Sequence, residues 1–471
     1  MVFSSTVFLF RFLPVFIILY FMVPGRMKNV ILFLGSLFFY AWGEPVYVFL
    51  MLFSALSDYV HGRILGKVRK KGFRQLTLTT SILINLLILG FFKYGDFLIQ
   101  TINTFVGTQI PLRNLPLPIG VSFYTFQTMS YTIDCYRRKV EVQENFLDFA
   151  VFVTMFPQLI AGPIVTYSQV EKQLHSRKAE PLQISYGCKR FIIGLSKKVL
   201  LANNLGLLWS EIGARDFGGL SVMTAWLGII AFALQIYFDF SGYSDMAIGL
   251  GAILGFTFPE NFNHPYIATS VTDFWRRWHM TLSGWFREYV YIPLGGNRKG
   301  LLRQLWNILI VWVLTGIWHG AGWNFMLWGL WFAFWLVLEK MGTLRVLQKL
   351  PKGLGILYTL LIVIVGWVFF EIPQGKGILA YLKAMFTIGE AGLYDREGLF
   401  LGLEYLVLLG VAVVAVTPLV QRIATRMRHS ITGYGIAAYR VLEKLFPGLL
   451  LLLSVAYLVD ATFNPFLYFR F

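Results

Sequence analysis

Hydrophobic positions along this chain come in repeated stretches of about 15 to 21 residues, the length a helix needs to cross a bilayer core of about 30 Å. They lie at 6–24, 29–42, 46–60, 77–93, 117–134, 147–165, 191–209, 220–240, 245–258, 305–318, 324–339, 354–370, 399–418 and 446–461. The pattern predicts an all-α polytopic integral membrane protein. Two stretches, 147–165 and 245–258, are too short or too polar to span comfortably. Re-entrant or broken helices are tolerated where protein or a cavity surrounds them. No internal repeat, low-complexity tract or linker divides the chain, so it reads as one membrane domain over 1–471 with a distinctive central region at about 235–340.

Composition agrees with that reading: 57% of the 471 residues are hydrophobic and 14% charged, where a soluble domain carries roughly 25% charged residues. The net charge of +17 raises nucleic acid as a partner. The basic residues nevertheless sit in short clusters between apolar runs, as the positive-inside rule expects, and nucleic-acid binding is rejected. Arg26 with Lys28, Lys67 to Lys71, and Arg137 to Lys139 follow the first, third and fifth stretches. Taken as cytoplasmic, they put the N-terminus outside. The first run ends at Val23-Pro24-Gly25-Arg26 without a small-x-small cleavage site and reads as a retained helix. Cys135 and Cys188 have no metal-ligand spacing, and no metal site is expected.

Three polar islands interrupt apolar sequence: Phe238-Asp239-Phe240-Ser241-Gly242-Tyr243-Ser244-Asp245, Phe274-Trp275-Arg276-Arg277-Trp278-His279, and Trp318-His319-Gly320. Ionisable groups at membrane depth are costly and by default are functional candidates lining a wet cavity. Drawn as one helix at about 100° per residue, Trp275, Trp278, Leu282, Trp285, Phe286 and Tyr289 share an arc of roughly 100°, with Arg276, Arg277 and Arg287 outside it. That predicts an interfacial or re-entrant amphipathic helix with His279 at the edge of the aromatic arc. Its basic face suits anionic lipid headgroups or a phosphate-bearing cytoplasmic donor. Asp239 and Asp245 are candidates either for structural pairing with arginine or for the site itself.

His319 carries most of the functional argument. An imidazole between two hydrocarbon-length runs is either a satisfied core residue or a working base. Gly316, Gly320 and Gly322 beside it are expected to admit another chain or a substrate. With an ordinary pKa near 6.5, histidine takes a proton from a hydroxyl nucleophile at about neutral pH, which suits acyl transfer. No Gly-x-Ser-x-Gly elbow, Walker A loop, His-Glu-x-x-His motif or dinucleotide fingerprint occurs, which argues against an ATP-driven pump.

The ordered motifs resemble a known family. They include Met1-Val2-Phe3-Ser4-Ser5, Phe39-Tyr40-Ala41-Trp42, Pro118-Ile119-Gly120-Val121-Ser122-Phe123-Tyr124 and Phe156-Pro157-Gln158-Leu159-Ile160-Ala161-Gly162-Pro163. Further along come stretches 237–249, 260–266, 274–283, 294–298 and 318–321, with the tail at 464–469. Together they are similar to the membrane-bound O-acyltransferases, in the bacterial subfamily of alginate and peptidoglycan O-acetyltransferases. The resemblance implies a ring of transmembrane helices around a thin core of short and re-entrant helices, with a central funnel. It matches His319 to the family's catalytic histidine and His279 to a second, less universal one. Candidate substrate- and donor-binding residues are Asp239, Ser241, Tyr243, Asp245, Arg276, Arg277, Trp278, Asn297 and Trp318.

The resemblance further implies acetyl-CoA as cytoplasmic co-substrate, with no bound cofactor. The acetyl group would pass across a bacterial plasma membrane to an exported or membrane-anchored SGNH-type partner, which acetylates a polysaccharide. Three alternatives stay open: a D-alanyl or longer-acyl transferase of the same family, a transporter or flippase that uses the buried histidines and aspartates as a relay, and a catalytically inactive scaffold. His264, in Asn261-Phe262-Asn263-His264-Pro265-Tyr266, reads as structural.

Overall fold

The computed structural model describes the chain except residues 374–376, 431–433, 461–462, 465–466 and 468–471, and describes only the backbone of 428–430, 434–440 and 442. Most of the tail motif at 464–469 thus lies outside the described residues. Every regular element among the described residues is helical. Among the described residues seven helices are long and apolar enough to cross a bilayer: Tyr47–Lys67, Lys71–Val106, Pro181–Gly213, Val222–Ile253, Leu301–His319, Trp323–Leu347 and Lys352–Glu371. Arg396–Glu404 and Leu406–Ala415, bent by 58°, make an eighth if counted as one span. The chain is a multi-pass membrane protein. Its spans pair their backbone polar groups within helices, as hydrocarbon requires.

The chain comprises two compact units interleaved in sequence. The first comprises Met1–Phe191 with Tyr243–Pro259, the second Ile192–Gly242 with Glu260–Phe471. In the first, α1 (Tyr47–Lys67), α2 (Lys71–Leu89) and α3 (Val121–Arg137) pack together. Helix α3 is polar on several sides yet buried, including Ser122, Thr125, Gln127, Thr128, Ser130 and Thr132. Asp58 of α1 accepts from Ser81 Oγ and Asn85 Nδ2 of α2, each at 2.7 Å, and Asn85 Oδ1 accepts from Thr128 Oγ1 at 3.2 Å. Buried polar groups need such partners, so these bonds fix three helices in register. Gly62 lets Tyr131 approach, since a Cβ there would lie 2.5 Å from its ring.

Helix α4 (Pro181–Ser196) continues through a π-helical stretch, Lys197–Ala202, and packs against α5 (Val222–Ile253). Stretches expected as 220–240 and 245–258 are therefore one 32-residue helix. The polar island does not break it because its charges are compensated and its glycines are seats for α4. Within the first unit, a Cβ on Gly187 or on Gly249 would lie 2.5 or 2.6 Å from the other's carbonyl oxygen. Within the second, a Cβ on Gly242 would lie 2.7 Å from Gly194 O. Segment 147–165 forms the short buried helices Phe146–Thr154 and Phe156–Leu159.

The second unit holds α6 (Val271–Arg277), α7 (Met280–Phe286), α8 (Leu301–His319), α9 (Trp323–Leu338) and α10 (Lys352–Glu371). Helices α8 and α9 form a close hairpin through facing glycines: a Cβ on Gly316 would lie 2.5 Å from Phe325 O, and one on Gly329 2.5 Å from Trp312 O.

Candidate active site

Helix α6 starts where Ser270 Oγ accepts the Asp273 N–H at 3.0 Å and the buried Glu339 carboxylate accepts the N–H groups of Val271 (2.7 Å) and Thr272 (2.8 Å). These acceptors satisfy donors the helix cannot and meet the positive end of its dipole. The helix lasts only to Arg277. Trp278 is extended, and His279 takes a left-handed backbone conformation (φ 44°, ψ 54°) before α7 begins. The single helix drawn through Trp275 and Tyr289 is thus broken at Trp278-His279, and its aromatic arc is not one continuous face. Segment 261–263 holds the break: Met280 N–H donates to Asn261 O and Asn263 N–H to Arg277 O, both at 2.9 Å. Such contacts offset the strain of a left-handed non-glycine residue, about 1–3 kcal/mol.

The Asn261 side-chain oxygen accepts from Thr281 N–H (3.3 Å), Thr281 Oγ1 (2.9 Å) and His279 Nδ1 (3.0 Å). A backbone N–H can only donate, so this atom is the amide's carbonyl oxygen. Nδ1 of His279 therefore carries the proton and Nε2 the lone pair. Among the described residues no group hydrogen-bonds Nε2. The ring is buried, edge-on to Phe240 at 4.7 Å. Burial pushes its pKa down to about 3, so it stays a neutral imidazole.

His319 ends α8, inside an aromatic cage. Its ring centre lies 5.0 Å from Trp318, 4.8 Å from Trp328 and 5.4 Å from Phe370, each close to edge-on. The Trp318 ring is also 6.0 Å from His279, so one indole stands beside both imidazoles. Of the two occupants expected beside these glycines, another stretch of chain or a substrate, the structure shows the chain. Gly316 faces the Phe325 backbone, a Cβ on Gly320 would lie 2.1 Å from the Phe325 ring, and one on Gly322 2.4 Å from Asn324 Oδ1.

A cavity of about 410 Å³ borders His279, within the usual range for small-molecule sites. Arg276, Arg287 and Lys340 line it, as do Asn297 and the Trp275 and Trp312 rings, whose centres are 4.6 Å apart. Among the described residues no carboxylate lines it. Three cations in a partly apolar enclosure make a positive potential suited to a polyanion. His319 does not line this cavity.

The remaining candidates are placed elsewhere. Arg277 pairs with Asp273 at 2.9 Å and does not face the cavity. Trp278 packs in the core, 5.0 Å from Trp367 and 5.1 Å from Phe262. Asp239 accepts the Leu467 N–H at 2.9 Å and pairs with Lys198, both side chains about 3% exposed. Asp245 pairs with Arg190 at 2.7 Å. Asp245 thus has the arginine expected of a structural pair, while Asp239 is paired with a lysine. Tyr243 stacks on Phe3 at 4.6 Å, and Ser241 is buried in α5. His264 latches its segment to the chain near 416–421, meeting Val416 O (3.1 Å) and Gln421 Oε1 (3.3 Å).

Sequence reading assigns no role to Lys340 or Asn261, and leaves Arg287 merely on a basic face. Lys340 follows an apolar run, where a lysine ordinarily marks the interface. Asn261 is visible as part of a motif, but no spacing rule links it to a histidine 18 residues later.

Residues 65–379 match the sequence model of the membrane-bound O-acyltransferase family. The chain is 41% identical to the probable alginate O-acetylase AlgI of Azotobacter vinelandii, over 84% of this chain and 80% of that protein. It is 38% identical to the probable alginate O-acetylase AlgI of Pseudomonas putida over the full length of both. It is 36% identical to the peptidoglycan O-acetyltransferase of Helicobacter pylori, over 83% of this chain and 81% of that one. With its apolar spans, this chain is an acyltransferase that belongs to the membrane-bound O-acyltransferase family, in the group of the bacterial alginate and peptidoglycan O-acetyltransferases.

Proposed function

We propose that this chain takes acetyl from cytoplasmic acetyl-CoA and passes it across a bacterial plasma membrane for O-acetylation of a cell-surface or exported polysaccharide. The names of its relatives support the polysaccharide class. The carrying observation for the donor is the cavity beside His279, with Arg276, Arg287 and Lys340 and no carboxylate in its lining among the described residues. CoA carries several phosphates on a thioester arm, and cations of this kind recognise phosphate. The basic clusters after the first, third and fifth apolar stretches favour a cytoplasmic donor face and an outside N-terminus. The polysaccharide is reached through an exported or membrane-anchored SGNH-type partner.

In this reading the donor's phosphates sit among the cavity cations and its thioester arm extends past Trp318 to His319; there a hydroxyl oxygen attacks the thioester carbonyl carbon, the C–S bond breaks, and His319 moves the hydroxyl proton to the departing sulfur. The neutral Nε2 of His279 accepts a hydrogen bond from the reactants and orients them. The test supplies labelled acetyl-CoA to the cytoplasmic face of vesicles and measures free CoA and transferred label. His319→Ala should abolish both while the protein remains inserted. Full activity in that variant would overturn the reading. A preference for long-chain acyl-CoA or for a loaded carrier protein would replace acetyl as the transferred group.

A further inference from the structure

A second cavity, of about 460 Å³, lies in the first unit, far along the sequence from the histidines. Its walls are the helix Leu13–Met22, with the π-helical turn Phe8–Phe12 before it, and the helix Lys28–Ala41. The Phe16 ring also lines it, with an edge against Gly35, where a Cβ would sit 2.6 Å from two ring carbons. Its rim residues Val15, Leu19, Leu34, Phe38 and Trp42 are exposed large hydrophobics, so the groove opens on an apolar surface of the kind that faces lipid.

Among the described residues Arg11 is the one charged side chain in this lining, which Met1 also joins, its terminal amine held on Phe39 O at 3.3 Å. Arg11 is exposed, and among the described residues no carboxylate lines the groove. The two walls are joined by the short turn at 23–27, so the start of the first and the end of the second share one end of the groove. Arg11 and Trp42 both belong to that end, and arginine with tryptophan marks a membrane–water interface. A guanidinium there calls for an anion at headgroup level. Deeper in, the lining is apolar, which suits a hydrocarbon chain.

We propose that this groove is a binding site for one anionic phospholipid, with an acyl chain over Phe16 and Gly35 and the phosphate on Arg11. The site is independent of the acyl-transfer chemistry.

Delipidated full-length protein, incubated with equimolar phosphatidylglycerol and phosphatidylcholine of the same acyl chains, tests this by native mass spectrometry. The wild type should retain phosphatidylglycerol in excess over phosphatidylcholine by roughly fivefold, which corresponds to about 1 kcal/mol for one interfacial cation. Arg11→Gln should remove the excess but keep the phosphatidylcholine adduct, and Arg11→Lys should preserve most of it. Leu34→Trp, which fills the groove from its rim, should lose both adducts. Soluble glycerol 3-phosphate, a headgroup without a chain, should displace neither. Equal retention of the two lipids by the wild type, an undiminished excess in Arg11→Gln, unchanged adducts in Leu34→Trp, or displacement by glycerol 3-phosphate would each overturn the proposal. Arg11→Lys guards against misfolding as the cause of any loss.

Discussion

The carbonyl oxygen of Asn261 lies 3.0 Å from Nδ1 of His279 and, through two bonds to Thr281, cannot turn away from it. This single contact decides which imidazole nitrogen carries the proton. It leaves Nε2 with its lone pair.

Asn261 should therefore act as a positioning residue for His279. Asn261→Leu removes the acceptor and lets the ring choose either tautomer. It should lower kcat by roughly 10- to 100-fold with a small change in KM, no more than a whole general base is worth. Asn261→Asp keeps the acceptor but places a negative charge beside the ring, which favours imidazolium. That variant should lose activity toward acid at a higher pH than the wild type does. Identical pH profiles for the two proteins would show that Asn261 only holds the backbone.

Acid stability should report the same burial. The unfolded imidazole binds a proton near pH 6.5, while the buried His279 resists until about 3. Between those values the unfolded state binds more protons, so stability falls as pH is lowered through that window, by at most about 1.4 kcal/mol per pH unit from this group. His279→Asn, which tolerates the left-handed backbone, should flatten the slope of melting temperature against pH in detergent.

The cavity cations should set donor affinity. Neutralising Arg276, Arg287 or Lys340 singly should raise the donor KM by roughly 5- to 10-fold with kcat nearly kept, and raised salt should mimic the effect. Arg277→Gln, which loses a pair with Asp273 outside the cavity, should leave KM unchanged. Steady-state kinetics on the two sets separates the roles.

Lys198 and Asp239 should matter to folding more than to chemistry. Both are about 3% exposed, and removing one leaves a buried charge unpaired at a cost of about 3–5 kcal/mol. Lys198→Met and Asp239→Asn should each lower thermal stability sharply, and the double variant by less than their sum. Donor KM in whatever protein survives should be normal.

Apolar stretches of spanning length show the membrane class and most of the spans in the sequence alone, because hydrocarbon thickness imposes a length that a linear pattern records. The two histidines and the basic character around Arg276 are equally visible, since an ionisable residue in apolar sequence stands out. Only the tertiary structure decided which of those groups meet. Asp239 and Asp245 look alike as site candidates until Lys198 and Arg190 are found against them. Lys340 and Arg287 join Arg276 around one cavity from separate helical segments. The break that turns His279 toward that cavity depends on bonds from Asn261 and Asn263. Contacts between distant segments leave no period in the sequence, so pairing, tautomer and cavity lining are settled by packing, while helix length and membrane placement are settled by local composition.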